Sequence, residues 1–136
     1  MNVNEVIANR ATEILGGKKG EYICHPNDHV NRSQSTNDVI PTAGRLTVID
    51  LALALKTETE SLVAALDEKA KEFDNVIKMG RTQLEDAVPI RLGQEFAAYS
   101  SGMKRCLKLV EKAVSEMYSV NLGGTAIGTA VNVNRK

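Results

Sequence analysis

Residues 46–55 read LTVIDLALAL and are the most informative part of the sequence for the architecture. Apolar residues occupy nearly every side of a helix drawn through this segment, and a helix that is apolar all round is one that other helices surround. No proline interrupts the chain between Pro41 and Pro89, and the only glycine between Pro41 and Phe73 is Gly44. The pattern therefore predicts a long, buried helix from Pro41 to about Phe73.

A second long helix is predicted downstream by apolar residues that alternate spacings of four and three. This spacing is typical of a helix packed at a shallow angle in a bundle. The stripe consists of Leu92, Phe96, Tyr99, Met103, Cys106, Val110, Ala113 and Met117. Residues 80–86 are predicted to be a short polar connection between the two long helices. A shorter helix is predicted over residues 1–15, with Gly16 and Gly17 ending it.

The composition also indicates an all-α fold. Of the 136 residues, 43% are hydrophobic and 4% are aromatic, so the core consists mainly of aliphatic side chains, which suit packed helices better than a β-sandwich. The 17 basic and 17 acidic residues balance, so the broad positive field of a nucleic-acid or anionic-membrane binder is absent. No apolar run reaches the roughly 20 residues that cross a bilayer. We expect a cytoplasmic chain whose partner is a small molecule or another protein chain.

Two polar segments each precede a predicted helix. Ser35, Thr36 and Asn37 come shortly before Pro41, and residues 80–83, GRTQ, come before Pro89. Helix N-termini present unpaired N–H groups and the positive end of the helix dipole, which suit the carboxylates of a small dianion. The same residue types are also ordinary helix caps, so capping alone is an equal alternative at each segment. Antiparallel helices of about 30 residues separate their ends by about 45 Å, so a site that uses both segments would lie between subunits.

The histidine, cysteine and glycine residues of the loops indicate no metal or phosphate site. His25 and His29 are four residues apart, but Pro26 interrupts any helix that would align them and no third ligand follows at metal spacing. Two cysteines are too few for a disulfide framework or a zinc site, and Cys106 is expected in the core. The glycines of residues 121–132 follow no strand, so close backbone packing is preferred over a phosphate cradle.

Four segments, in order along the chain, resemble the fumarase/aspartase superfamily: MNVNEVIANRA, HPNDHVNRSQSTNDVIPT, GRTQLEDAVPIRLGQEF and NLGGTAIGTAVN. The DAVP and LGQEF stretches are similar to the fumarase and aspartase branch, which implies a four-carbon dicarboxylate substrate. Fumarases usually carry His where this chain has Gln83, whereas some aspartases carry Gln there, and residues 19–22 also resemble the aspartase version of their loop. The resemblance favours an aspartate ammonia-lyase, with a class II fumarate hydratase as the alternative.

The resemblance implies an anti elimination of ammonia from aspartate to give fumarate, without a cofactor. The implied substrate-binding residues are Ser35, Thr36 and Asn37 from one subunit and Thr82 and Gln83 from another. A secondary dicarboxylate site is implied at His25, Asn27 and Asp28. The family's SSxMPxKxN loop, which carries the catalytic serine, does not occur in this sequence. No catalytic base is therefore predicted within the chain.

The domain organisation implied by the resemblance is incomplete. Residues 1–37 correspond to the end of an N-terminal domain and an active-site loop, and residues 38–136 to the first long antiparallel helices of the central bundle. In the family, four such bundles form a homotetrameric core. We expect a piece of a longer lyase that is inactive and oligomeric when isolated. A non-catalytic helical oligomerisation module with the same fold is the alternative.

Overall fold

The structure, a computed structural model, describes residues 2–131 and 133. Its elements are the helices α1 (Asn2–Ile14), α2 (Thr36–Glu72) and α3 (Leu92–Met117) and the strands β1 (Ile77–Thr82) and β2 (Glu85–Arg91), with a π-helical turn at Pro26–Val30. The fold is predominantly helical, as predicted, with one small sheet added. The chain divides into two compact units, the first from residues 1–44 and 120–136 and the second from residues 45–119.

Helix α1 is held in the first unit by a buried threonine. Thr12 has no exposed surface. Its Oγ1 accepts a hydrogen bond from the N–H of Cys24 at 3.1 Å, and its carbonyl accepts one from the N–H of Gly17 at 2.9 Å. Gly16 has a φ angle of 85°, which is the left-handed conformation that commonly follows a helix end. The helix therefore stops where the two glycines predict.

Helix α2 begins at Thr36, five residues before its predicted start at Pro41. The earlier start follows from a reciprocal cap between Ser35 and Asp38. Ser35 Oγ accepts from the N–H of Asn37 at 3.2 Å, and Asp38 Oδ1 accepts from the N–H of Ser35 at 3.0 Å. These two bonds satisfy backbone donors that a helix start otherwise leaves unpaired. Pro41 consequently lies in the second turn of the helix.

Residues 77–91 form an antiparallel hairpin instead of the predicted polar connection. Thr82 pairs with Glu85, and the two residues between them, Gln83 and Leu84, have φ angles of 50° and 67°. Two consecutive positive φ angles define a type I′ turn, whose twist matches that of a hairpin. The turn escaped prediction because its sequence lacks the Asn-Gly pair that usually marks this geometry.

Within the second unit, residues 45–72 of α2 run antiparallel to α3. Lys56 Nζ lies 2.7 Å from Glu111 Oε1. Farther along α2, Asp67 accepts hydrogen bonds from Lys104 Nζ at 2.7 Å and from Ser100 Oγ at 2.5 Å. Hydrogen bonds from Lys104 and Ser100 lower the pKa of Asp67 below its ordinary value. The predicted antiparallel pair of long helices is therefore present.

Both ends of α3 are fixed against neighbouring backbone in the second unit. Arg45 Nη1 donates to the carbonyl of Glu116 at 2.8 Å, which places a cation at the negative end of the α3 dipole. At the other end, the N–H of Gly93 donates to the carbonyl of Phe73 at 3.0 Å. A Cβ atom at Gly93 would clash with the carbonyl of Ala70. Glycine therefore permits the close approach of α3 to the end of α2.

The apolar stripe of α3 differs from its predicted position at three of eight residues. Tyr99, Cys106 and Ala113 are exposed, and the residues that follow each of them, Ser100, Leu107 and Val114, are buried or half-buried instead. The prediction that Cys106 belongs to the core is wrong. Ser100 breaks the apolar pattern, yet it is buried at 1% exposure, because Asp67 accepts the hydrogen bond from its hydroxyl.

The described residues bury little apolar surface. Among their hydrophobic side chains only Ala8 and Ile49 are buried. Leu46, Leu51 and Leu53 of α2 are 57%, 66% and 59% exposed, so the all-round apolar segment lacks the surrounding helices that its sequence predicts. None of the described helices combines the length and apolar character needed to span a bilayer.

Candidate functional site

The N-terminal end of α2 brings three of the predicted substrate-binding residues together in the first unit. Ser35, Thr36 and Asn37, here called the binding loop, occupy the cap and the first two helical positions. Ser35 is half-buried, and Thr36 and Asn37 are exposed. Hydroxyl and amide groups are thus collected at the positive end of the α2 dipole, where an anion is stabilised.

Asp38, directly after the binding loop, is a buried charge that the predicted site did not include. Its side chain is 1% exposed. Besides the N–H of Ser35, the carboxylate accepts the N–H groups of Gly123 at 3.2 Å and Thr125 at 2.9 Å, both at Oδ2. Burial raises the pKa of Asp38, but the N–H groups of Thr125, Ser35 and Gly123 together outweigh burial and hold the pKa below its ordinary value of 3.8. Asp38 is therefore ionised at neutral pH.

Residues 121–126, here called the glycine-rich segment, provide the concave backbone around that carboxylate. Gly123 and Thr125 have positive φ angles of 91° and 62°, and left-handed residues in such a turn direct N–H groups toward one point. A Cβ atom at Gly124 would lie 3.1 Å from the carbonyl of Asn121. The anion that this backbone holds is the chain's own Asp38, which agrees with the predicted role in backbone packing.

Pro41 removes one hydrogen bond from α2, and Asn121 replaces it. Proline has no N–H, so the carbonyl of Asn37, four residues earlier, has no helical donor. Asn121 Nδ2 donates to that carbonyl at 3.0 Å. In the reverse direction, Asn37 Nδ2 donates to the carbonyl of Ala126 at 2.7 Å. The binding loop is therefore tied to the glycine-rich segment by Asn37 as well as by Asp38.

An open groove of about 440 Å³ lies beside the binding loop within the first unit. Its lining residues are Ser33, Gln34, Ser35, Thr125, Ala126, Ile127 and Val131. Because a water molecule occupies about 30 Å³ of liquid, the groove has room for a four-carbon dicarboxylate together with several waters. The groove thus offers a small anion direct access to the Ser35 end of the loop.

The residues of the predicted secondary dicarboxylate site lie together on the π-helical turn. His25 Nδ1 accepts the N–H groups of Asn27 at 3.3 Å and Asp28 at 3.2 Å, and Asp28 Oδ2 lies 3.1 Å from the same nitrogen. His29 Nδ1 accepts the N–H of His25 at 2.8 Å. The imidazole of His25 therefore caps the turn through Nδ1.

The hairpin tip, residues 82–85, carries the two remaining predicted site residues and belongs to the second unit. Thr82 and Gln83 are exposed, and neither side chain has a hydrogen-bond partner among the described residues. Leu84 is 95% exposed. Arg81 Nε lies 3.0 Å from Asp86 Oδ1 in a pair whose side chains are about two-thirds exposed. The tip therefore presents a hydroxyl, an amide and an apolar side chain outward.

Side chains capable of binding a metal are dispersed. Across residues 2–131 and 133, no group of three or more His, Cys, Asp or Glu side chains is placed to hold a metal ion. Cys24 is half-buried and Cys106 is exposed, both as free thiols.

Asp38 and Asn121 form hydrogen bonds with the binding loop, but neither was among the predicted site residues. Asp38 follows Ser35 by three residues, which is the spacing of a capping box, so its hydrogen bond to the Ser35 N–H had a local signal. Asn121 had none, because the Asn37 carbonyl that it binds is 84 residues away in the chain. Pro41 shows that the Asn37 carbonyl needs a donor, but it does not show which residue supplies one.

Comparison with known proteins connects this arrangement to a family. The family model described as "Lyase" matches residues 1–136. The chain is 54% identical over 135 residues to the aspartate ammonia-lyase of Bacillus subtilis and 50% identical over 135 residues to the class II fumarate hydratase of Thermus aquaticus; it aligns over 98% of its own length with each. A cobalt-bound fumarate lyase:delta crystallin from Brucella melitensis superposes with a TM-score of 0.95 at 52% identity, over 99% of this chain and 30% of that one.

The family match and the superposition place the chain in the lyase family. The chain belongs to the fumarase/aspartase superfamily. It spans 28% of the length of the Bacillus enzyme and 29% of the Thermus enzyme. Because the identities to ammonia-lyases and to hydratases are similar, membership of the superfamily leaves open whether ammonia or water is the leaving group.

Proposed function

We propose that the chain is part of an aspartate ammonia-lyase, which reversibly eliminates ammonia from L-aspartate to give fumarate. The observation that carries the proposal is Gln83, exposed at the hairpin tip, at the position where fumarases usually have His and some aspartases have Gln. The substrate class is supported by the resemblance of the DAVP and LGQEF stretches to the fumarase and aspartase branch.

The chemistry of this elimination suits the groups of the binding loop. Removing a proton from the carbon beside a carboxylate creates an aci-carboxylate dianion, so hydrogen-bond donors aimed at that carboxylate lower the barrier. In our proposal Ser35, Thr36 and Asn37 of one copy meet Thr82 and Gln83 of another around the substrate. The base is the serine of the SSxMPxKxN loop, which lies outside this sequence. No residue of this chain is assigned as catalytic, and the reaction uses no cofactor.

We further propose that His25, Asn27 and Asp28 form a secondary dicarboxylate site. The support is their convergence on the π-helical turn, where the N–H groups of Asn27 and Asp28 are held by His25 Nδ1.

The proposed assembly is a homotetramer in which residues 1–37 end the N-terminal domain and residues 38–136 begin the central bundle. Leu46, Leu51 and Leu53 of α2 are each more than half exposed. Surface that includes the exposed leucines of α2 favours association with further helices. A cytoplasmic location is supported by the free thiols Cys24 and Cys106.

The choice of leaving group is tested in the complete protein. We expect aspartate to be converted faster than malate, and Gln83→His to shift the ratio of kcat/KM values toward malate. Fumarate absorbance follows both reactions. A complete protein that prefers malate would instead be a class II fumarate hydratase, the class to which the Thermus relative at 50% identity belongs.

A non-catalytic oligomerisation module is the second alternative, favoured by the fact that Ser35 Oγ already serves as a cap for the N–H of Asn37. The 136-residue chain alone is expected to give no turnover of aspartate, because the catalytic serine loop is not in its sequence. The complete protein is expected to bind succinate, with contacts to both the binding loop and the hairpin tip in a crystal structure. Succinate density at neither place would favour the module.

A further inference from the structure

We infer that Asp38 is a positioning residue for substrate binding: by holding the N–H groups of Gly123 and Thr125, its carboxylate fixes the binding loop in the geometry that receives a substrate carboxylate. The inference rests on the proposed function of that loop. At 1% exposure Asp38 does not itself reach a ligand in the groove, so it acts through the residues beside it.

The hydrogen bonds of Asp38 join two distant parts of the chain. Oδ1 accepts the N–H of Ser35, inside the binding loop, at 3.0 Å. Oδ2 accepts the N–H groups of Gly123 and Thr125, which are 85 and 87 residues away, at 3.2 and 2.9 Å. An ionised carboxylate without such partners is costly to bury, so all three donors stay engaged in the folded state. Ser35 thereby takes its position from the glycine-rich segment.

Asn37 is held from the same segment by two further hydrogen bonds, one through its carbonyl and one through its side-chain amide. The two ends of the binding loop are therefore both attached to the glycine-rich segment before any ligand arrives. Donors that are already ordered do not lose conformational freedom on binding, which increases affinity. Thr36 is exposed and lies between the two attached residues, so its position is fixed from both sides.

Because Asp38 is charged, the direction in which its substitution changes dicarboxylate affinity tests the positioning role. A carboxylate close to the binding loop repels a dianion, so if Asp38 acted only through its charge, Asp38→Asn would tighten dicarboxylate binding. If Asp38 positions the loop, the same substitution weakens binding. An asparagine has one oxygen and one NH₂ group in place of two oxygens, so its NH₂ group faces at least one of the three N–H donors and that contact is lost.

The experiment compares Asp38→Asn with Asp50→Asn in the complete protein. Asp50 is an exposed residue of the same helix, so the control makes the same chemical change without touching the glycine-rich segment. We measure succinate affinity by calorimetry and deuterium exchange of the peptide covering residues 120–131 by mass spectrometry. For Asp38→Asn we expect succinate to bind at least about tenfold more weakly and the peptide to exchange faster. Asp50→Asn is expected to stay within about twofold of the parent in both measurements.

A milder variant keeps the test decisive if Asp38→Asn does not fold. Asn121→Ala removes one attachment of the loop and leaves Asp38 intact, and we expect succinate to bind about threefold more weakly. Unchanged or tighter succinate binding in the folded variants overturns the positioning role. A parent protein that binds no succinate and converts neither aspartate nor malate overturns the proposed function instead, and the exchange difference at residues 120–131 would then still report the attachment.

Discussion

The binding loop and the hairpin tip are built in opposite ways. The loop has a buried carboxylate beside it and hydrogen bonds from the glycine-rich segment to Ser35 through Asp38 and to Asn37 directly. At the tip, the side chains of Thr82 and Gln83 have no hydrogen-bond partner among the described residues, and the positive φ angles are at Gln83 and Leu84. The first group of candidate residues is therefore held by hydrogen bonds from a distant segment, whereas the second is positioned by its own turn.

The largest expected effect is a loss of activity at the hairpin tip without a loss of thermal stability. In the complete protein, Thr82→Ala is expected to lower kcat/KM for aspartate about 100-fold, the typical loss for one donor to a developing oxyanion, with no change in melting temperature. Ser35→Ala is expected to lower activity similarly and also to cost about 1 kcal/mol of stability, because it removes a helix cap. Steady-state kinetics and thermal melts measure both. A Thr82→Ala variant with full activity would contradict the proposed role of the tip.

The next effect concerns acid stability in the first unit. The folded pKa of Asp38 is below 3.8, so its stabilisation is fully present above the unfolded pKa and is lost as the pH falls through the folded pKa. We expect Asp38→Asn to melt about 5 °C or more below the parent at neutral pH, and the gap to close as the pH falls through the folded pKa of Asp38. Asp50→Asn, the same chemical change at an exposed position of the same helix, is the matched control. A gap that is constant with pH would mean that the charge of Asp38 is unimportant.

A smaller effect tests whether Asn121 replaces the hydrogen bond that Pro41 removes. We expect Asn121→Ala to cost about 1 kcal/mol in urea unfolding. In a Pro41→Ala background the helix regains its own N–H donor for the Asn37 carbonyl, so Asn121→Ala should cost less, by about 0.5 kcal/mol. Equal costs in the two backgrounds would show that Asn121 does not compensate for the proline.

The smallest effect concerns the backbone of the hairpin tip. Leu84 adopts a φ angle of 67° and is 95% exposed, so Leu84→Gly relieves backbone strain and removes almost no packing. We expect it to stabilise the protein by about 0.5–1 kcal/mol in urea unfolding. Leu109→Gly is the matched control, since Leu109 is 68% exposed within α3 and glycine there should destabilise by about 1 kcal/mol. Destabilisation by Leu84→Gly would indicate that Leu84 already has a partner.

The long helices were predictable because the apolar spacing that indicates a helix is a local property of the sequence. The α3 stripe was misplaced where a hydrogen bond, not an apolar contact, buries a side chain. The stripe on α3 was assigned to Tyr99 and Cys106, since an apolar criterion passes over Ser100. The buried position of Ser100 depends on Asp67, in another helix. The hairpin was missed because Gln83 and Leu84 hold a conformation that their own preferences oppose.

The candidate site was predictable only as far as it is local. Ser35, Thr36 and Asn37 precede a helix in sequence, and the structure places them at its N-terminal end. The contacts from residues 121–126 could not be inferred, because nothing near Asn37 in sequence specifies which distant amide meets its carbonyl. In the proposed function, substrate choice depends also on residues of other copies and on the family's serine loop, so it stays a prediction.

The 84–89 residues that separate the partners of these hydrogen bonds have a consequence for biosynthesis. Helix α2 can form as soon as it leaves the ribosome, since its own backbone bonds are local, but its first turn lacks the partners of Asp38 and Asn37 until residue 126 has been translated. Ordering of the anion-receiving end of α2 is thus a late event during synthesis. In a nascent chain arrested before residue 121, the N-terminal turn of α2 lacks its hydrogen-bond partners from the glycine-rich segment.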